Sequence, residues 1–107
     1  MLYVDFKAGE KEYKLRLNTR AIVELEEALG LNPILVFKNE ANNNSPTTKQ
    51  MVLILHAALQ NYHPEISIDE TYNIFDDYLA DNHIVGEFAG VIVKLYKLSG
   101  LFKNEKN

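Results

Sequence analysis

The chain has 107 residues, of which 47% are hydrophobic and 24% are charged, so it has the size of one domain and is too apolar to be disordered throughout. Its formal net charge of -4 argues against a general nucleic-acid binder, which normally carries a basic surface. The absence of cysteine excludes disulfides, thiol catalysis and cysteine-ligated metal sites.

The first 17 residues (1–17) predict a β-hairpin. Apolar residues alternate with polar ones on both sides of a turn that contains Gly9, at Leu2, Val4, Phe6, Tyr13, Leu15 and Leu17. A lone hairpin is marginal in water, so its apolar face must pack on the rest of the chain. The N-terminus has no apolar core of a signal peptide, and no apolar run approaches the ~20 residues of a membrane span. We therefore expect a cytoplasmic protein.

Residues 19–38 predict two helices. The first runs from about Thr19 to Leu29, and the Gly30 that follows suits a left-handed C-terminal cap. Pro33 favours the first position of a second, shorter helix that ends near Lys38.

Residues 39–46 are rich in asparagine and predict an exposed, mobile loop, because asparagine and serine favour turns. Four consecutive apolar residues precede this loop: Ile34, Leu35, Val36 and Phe37. An apolar run beside a mobile loop predicts a surface that is partly available to partner proteins or to self-association.

Residues 47–99 predict three further helices. Thr47 and Gln50 have the spacing of a capping box and start a helix that runs to about Tyr62. Its apolar residues cover nearly the whole circumference, so we expect a buried, central helix.

The next helix starts at a second capping box, formed by Ser67 and Glu70. Its predicted apolar stripe consists of Ile68, Tyr72, Phe75 and Leu79. The last helix is predicted from about residue 83 or 84 to Ser99, and the polar tail, 100–107, is expected to fray. Gly86 and Gly90 in this helix predict a close approach of a neighbouring element. The fold class predicted is therefore α+β, mostly α, with an N-terminal β-hairpin packed on a bundle of about four to five helices in a single domain, 1–107.

The sequence indicates no catalytic, cofactor-binding or metal-binding residues. His56, His63 and His83 do not have a metal-ligand spacing, and His56 is interpreted as a packed residue of a buried helix. The acidic residues between Asp69 and Asp81 lack the spacing and glycine of a calcium-binding loop. A phosphate-binding glycine loop and a nucleophile elbow are also missing, so an enzyme is disfavoured.

Several of these patterns resemble one protein family. The stretch from Tyr13 to Ile34 combines a strand, a Thr-Arg-Ala helix start, a Leu-Gly helix end and an Asn-Pro step. With Leu53–Tyr62 and Leu95–Gly100, it is similar to the tail assembly chaperones of long-tailed bacteriophages and prophages of Gram-positive bacteria. The resemblance covers about residues 1–102 and consists of helix and cap patterns, without a catalytic signature.

The resemblance implies a non-catalytic phage tail assembly chaperone. Such proteins coat the tape-measure protein, keep its hydrophobic helices soluble, help recruit tail-tube subunits and leave before the tail is complete. They act in the host bacterial cytoplasm and are not expected in the mature virion; self-association is compatible with this role, and no nucleic acid, membrane or cofactor is implied. Two other readings stay open: a generic helical interaction module, such as a phage head–tail connector or small regulatory adaptor, and a small enzyme that uses His56 with an acidic residue.

Overall fold

A computed structural model describes residues 2–103, and it has the predicted α+β class with an N-terminal hairpin and mostly helical remainder. Met1 of the predicted hairpin and residues 104–107 of the predicted tail lie outside the described residues. The strands and α-helices of the described part are β1 (Val4–Ala8), β2 (Lys11–Leu15), α1 (Thr19–Leu29), α2 (Thr48–Leu59), α3 (Ile68–Ala80) and α4 (Phe88–Ser99). Short 3-10 helices cover Pro33–Phe37, Glu40–Asn42 and Val85–Glu87.

The hairpin is antiparallel, with Phe6 opposite Tyr13 and Ala8 opposite Lys11. A two-residue turn joins the strands, and Gly9 in it has a φ of 65°, which favours glycine. The face that carries Phe6 and Ala8 is buried against the helices, as predicted. Leu2 was predicted on the same face but precedes the strand and is 62% exposed.

Helix α1 has the predicted bounds because its ends carry local signals. The Asn18 side chain accepts a hydrogen bond from the Ala21 N–H, and Gly30 adopts a left-handed φ of 74° while its N–H donates to the Glu26 carbonyl. The buried face of the helix includes Ala21 and Leu25.

Helix α2 is the central, buried helix that the sequence predicts. Thr47 and Gln50 form the capping box reciprocally. Its buried residues are Met51, Val52, Ile54, Leu55, Ala57, Ala58 and Leu59. It ends at Leu59, earlier than the predicted Tyr62. The Gln60 side chain there donates to the carbonyls of His56 and Ile66, which ties the following turn back to the helix.

The predicted stripe of α3 is wrong at Tyr72, which is 51% exposed. The helix packs against both α2 and β1, so its buried face is rotated. That face consists of Thr71, Ile74, Phe75 and Tyr78. Thr71 can be buried because its hydroxyl donates to the Ser67 carbonyl at 2.8 Å.

The start of α4 also differs from the prediction. The α-helix begins at Phe88 after a 3-10 turn, and Ile84, expected on its apolar stripe, is 70% exposed. The expected close approach at Gly86 and Gly90 is wrong, because within residues 2–103 a Cβ atom at either position would meet no atom of a neighbouring element within 4 Å. Gly100 ends the helix as predicted, with a φ of 88°. Of the helices within residues 2–103, none is long and apolar enough to cross a bilayer.

Candidate partner-binding surface

The predicted partner-binding residues lie in the 3-10 helix Pro33–Phe37. Its start is fixed locally: the Asn32 carboxamide oxygen accepts from the Ile34 N–H at 3.1 Å, and the Asn32 carbonyl accepts from the Leu35 N–H at 2.9 Å. Pro33 suits this position because its φ is already helical and it has no N–H to satisfy.

The inner side of this turn is anchored on α4. The buried Tyr96 hydroxyl donates to the Pro33 carbonyl at 2.9 Å, and burial raises the pKa of the Tyr96 phenol, so it stays a protonated donor. The Phe37 ring packs edge-on against the Tyr96 ring at 6.0 Å between centroids and lies 5.7 Å from the Phe102 ring. Val36 is 1% exposed and belongs to the core.

The other two predicted residues, Ile34 and Leu35, lie on the outer side of the turn. Leu35 is 43% exposed, and Ile34 is half-buried. The structure therefore divides the four predicted residues: Leu35 is the accessible one, while Val36 and Phe37 form the base that holds it.

The asparagine-rich loop beside this turn has defined local structure. The Asn42 side chain donates to the carbonyls of Ser45 and Pro46, at 3.0 and 3.1 Å. Asn43 and Asn44 both adopt left-handed φ angles, which asparagine tolerates better than most residues. Pro46 is buried, so the end of the loop is anchored next to the start of α2.

A second feature, a depression with both polar and apolar lining, lies where the start of α1 meets the end of α4. Ile22 and Leu98 line a depression of about 190 Å³ together with Arg16, Asn18 and Ser99. Leu98 is exposed and Ile22 is half-buried, so apolar side chains are accessible in a concave site. Concave, partly apolar sites of this kind are where protein partners insert side chains.

A third feature, which the sequence reading missed, is an acidic depression of about 570 Å³ between β2, the turn after α2 and α3. Its carboxylates are those of Glu12, Glu65, Glu70 and Asp77. Tyr13 lies among them, and its pKa is raised by burial and by the charges of Asp77 and Glu70. Glu70 and Asp77 lie two turns apart on α3, which was the only part of this arrangement visible as a spacing. The other two carboxylates come from separate segments.

His63 also lines this acidic depression and has a structural role. Its Nε2 atom accepts a hydrogen bond from the Lys14 N–H at 3.0 Å, so this nitrogen carries no proton. Its ring packs edge-on against the Tyr13 ring, with centroids 5.4 Å apart.

The other two histidines lie in different surroundings. His83 stacks on Tyr78 at 4.2 Å, and its Nδ1 atom lies 2.9 Å from a Glu87 carboxylate oxygen. His56 is half-buried on α2, and no ion pair joins it to a carboxylate among residues 2–103. The same described residues include no group of three or more histidine, aspartate or glutamate side chains arranged to hold a metal ion.

The model of a family of unknown function, DUF6096, matches residues 4–107, and the chain belongs to that family. Among curated proteins and among solved structures, none matches the chain.

Proposed function

We propose that this member of the DUF6096 family is a non-catalytic assembly chaperone that binds the tape-measure protein of a long phage tail and helps recruit tail-tube subunits. The observation that carries the proposal is the presentation of Leu35. This large apolar side chain is 43% exposed on a turn whose neighbouring residues, Val36 and Phe37, are anchored in the core or against α4. The sequence resemblance to tail assembly chaperones supports the same function.

A fixed, exposed leucine suits the recognition of an amphipathic helix. Such a helix buries apolar residues spaced three and four apart, and a partner needs only a few well-placed apolar contacts to hold it. Because the backbone of this turn is already held by hydrogen bonds at Ile34 and Pro33, little backbone freedom is lost when a partner binds. The depression lined by Ile22 and Leu98 offers a second place for an apolar side chain of the partner.

The size and charge of these features agree with transient binding by many copies. Small apolar contacts give weak, reversible interfaces, which suits a protein that leaves before the tail is complete. The net charge of -4 keeps crowded copies soluble and limits non-specific contacts. We place this activity in the host bacterial cytoplasm.

The acidic depression favours a second candidate, a helical interaction module such as a head–tail connector or a small regulatory adaptor. It shares no residue with the Leu35 turn and offers Glu12, Glu65 and Asp77 to a basic segment of a partner. Gene order distinguishes the two functions: a tail-tube gene before this gene and a very long tape-measure gene after it favour the chaperone.

The proposed function is tested by co-expression with the tape-measure protein encoded in the same genome. We expect the unmodified chain to keep the tape-measure protein soluble and to co-purify with it, and Leu35→Glu to lose most of this capture. Tyr72→Glu is the matched control, because Tyr72 is similarly exposed, at 51%, but lies on α3. Both variants are first compared with the parent by circular dichroism. Equal capture by a folded Leu35→Glu variant would contradict the proposal. Phe37 is less suitable for substitution because its ring packs on Tyr96 and Phe102.

A further inference from the structure

The rest of the chain forms hydrogen bonds with one outer edge of the hairpin and not with the other, within residues 2–103. The outer edge of β2 is partly covered: the Arg16 N–H donates to the Ala58 carbonyl at 2.9 Å, and the Lys14 N–H donates to His63 Nε2 at 3.0 Å. Two outward N–H groups on this edge are therefore satisfied by α2 and the turn that follows it.

The outer edge of β1 is open. Because the Lys14 N–H points away from β1, its partner Asp5 is in a non-hydrogen-bonded pair and directs its own main-chain groups outward. The alternation of antiparallel pairs makes Lys7 point outward in the same way. Within residues 2–103, no hydrogen bond is made to the outward N–H or C=O groups of Asp5 and Lys7.

The side chains on this open edge are complementary to themselves. Asp5 and Lys7 are both exposed and flank Phe6, which is buried on the opposite face of the strand. In an antiparallel pair of identical strands with a two-fold axis through Phe6, each Asp5 lies directly opposite the Lys7 of the other copy. Opposite charges in directly facing positions stabilise a strand pair, and like charges destabilise it.

We propose that β1 pairs antiparallel with β1 of a second copy of this chain, around a two-fold axis through Phe6, so that two hairpins form one four-stranded sheet. This pairing satisfies the outward main-chain groups of Asp5 and Lys7 in both copies. It is independent of the function proposed above.

The charges also select the register. Moving the two-fold axis by one residue toward either end of the strand would place Asp5 opposite Asp5, or Lys7 opposite Lys7. Charged side chains on an edge strand usually discourage pairing. Here each strand carries one aspartate and one lysine, and these attract an identical strand in this one register. Because the paired segment is short and adds little apolar contact, the dimer is weak and depends on concentration.

Charge reversal tests this pairing. Sedimentation equilibrium from ~10 µM to ~1 mM should show the parent chain shifting from monomer to dimer, since weak interfaces saturate in this range. D5K and K7D each place like charges opposite one another in both symmetry-related pairs. We expect each to weaken the dimer at least ~10-fold. D76K and K97D are the controls, because they make the same charge changes at exposed positions on α3 and α4 and should dimerise like the parent.

The double variant D5K/K7D separates dimer contacts from hairpin stability. It restores opposite charges between copies, so the dimer should return to near the parent strength. Within each hairpin it places lysine opposite Lys14 and aspartate opposite Glu12, so the fold itself should become slightly less stable. If the single variants weakened the dimer by unfolding the chain, the double variant would weaken it as well. Recovery of the dimer in the double variant therefore shows that charge repulsion between copies is the cause.

A main-chain variant tests the open edge by a second route, and it also removes the Lys7 charge. K7P removes the outward N–H at position 7, which is not used within the hairpin, and should abolish the dimer while far-ultraviolet circular dichroism stays that of the parent. A parent chain that stays monomeric at all concentrations, a double variant as weak as the single ones, or a folded K7P variant that dimerises normally overturns the proposal.

Discussion

Tyr96 joins three separate parts of the chain through one side chain. Its hydroxyl donates to the Pro33 carbonyl, and its ring packs against Phe37 on one segment and Phe102 on another. A buried hydroxyl is costly unless it has a partner, and here a carbonyl next to the proposed binding turn supplies one. This residue therefore couples the position of the Leu35 turn to α4.

Removing this hydroxyl should destabilise the fold without a large change in packing. We expect Tyr96→Phe to lower the free energy of unfolding by about 1–2 kcal/mol, because it leaves the Pro33 carbonyl without its donor. Urea denaturation measures the loss. Tyr72→Phe is the control, since Tyr72 is exposed, and its stability should be unchanged. Equal stability of the Tyr96→Phe variant and the parent would show that the Pro33 carbonyl finds another partner.

At the scale of single elements, the start of α4 depends on one carboxylate. Glu87 accepts a hydrogen bond from the Ile84 N–H at 3.1 Å and pairs with His83 Nδ1 at 2.9 Å. The hydrogen bond with His83 is the larger effect and that with the Ile84 N–H the smaller; both lower the pKa of Glu87 below its ordinary value. The 3-10 turn that leads into the helix is thus stabilised by a charged group at its own end.

The pKa shift of Glu87 fixes the sign of a pH effect. A carboxylate whose pKa is lowered by folding stabilises the folded state above its ordinary value of 4.5, and this contribution disappears as the pH falls through the lowered pKa. Glu87→Gln keeps an oxygen acceptor for Ile84 but removes the charge. We expect its melting temperature to lie below that of the parent at neutral pH and to converge with it as the pH falls from 4.5 through the lowered pKa. A constant difference at all pH values would contradict this account. Glu27→Gln on α1 is the control, because it makes the same substitution at another exposed glutamate.

Element ends with a capping residue were predictable because their signals are local, whereas the end of α2 and the start of α4 differ from the prediction. Asn18, Thr47 and Ser67 cap helices with their own side chains, and Gly30 and Gly100 stop them with left-handed backbone. Which face an element buries depends on its neighbours, and there the sequence reading failed. Helix α3 touches both α2 and β1, and this rotates Tyr72 outward and Thr71 inward relative to the simple apolar stripe.

At the scale of the whole molecule, a hydrogen bond and a ring contact join the N-terminal hairpin to the second half of the chain. The Gly9 N–H donates to the Asp81 carboxylate at 2.6 Å, across 72 residues of sequence. At the other end of the hairpin, the Tyr3 ring packs edge-on against the Tyr62 ring at 5.6 Å. Between these two contacts, β1 also packs against α3.

The contact between Gly9 and Asp81 can be tested at one amide. We expect Asp81→Ala to speed hydrogen exchange at the Gly9 amide roughly 10-fold, the equivalent of a typical hydrogen bond. Nuclear magnetic resonance resolves this amide from the others. Asp76→Ala, on an exposed part of α3, should leave the exchange rate of Gly9 unchanged. Unaltered exchange in Asp81→Ala would mean that other contacts hold the turn in place.

The candidate sites were predictable only in part, because they too depend on how separate segments of the chain pack together. The apolar run Ile34–Phe37 is visible in sequence, but its division into an exposed Leu35 and a buried Val36 follows from the anchoring of the turn on Tyr96. The acidic depression combines residues of β2, the turn after α2, and α3, which no local spacing brings together. The difference between the outer edges of β1 and β2 also depends on tertiary packing, because α2 and the turn after it hydrogen-bond to β2.

The long sequence distance between Gly9 and Asp81 also has a consequence for synthesis on the ribosome. At ~5–20 residues per second, roughly 4–14 seconds separate the translation of these two residues. During that interval the β1 part of the hairpin's apolar face, which includes Phe6, has no complete α3 to pack on. The nascent chain therefore exposes this part of the face, together with the pairing edge of β1, at least until α3 has been translated.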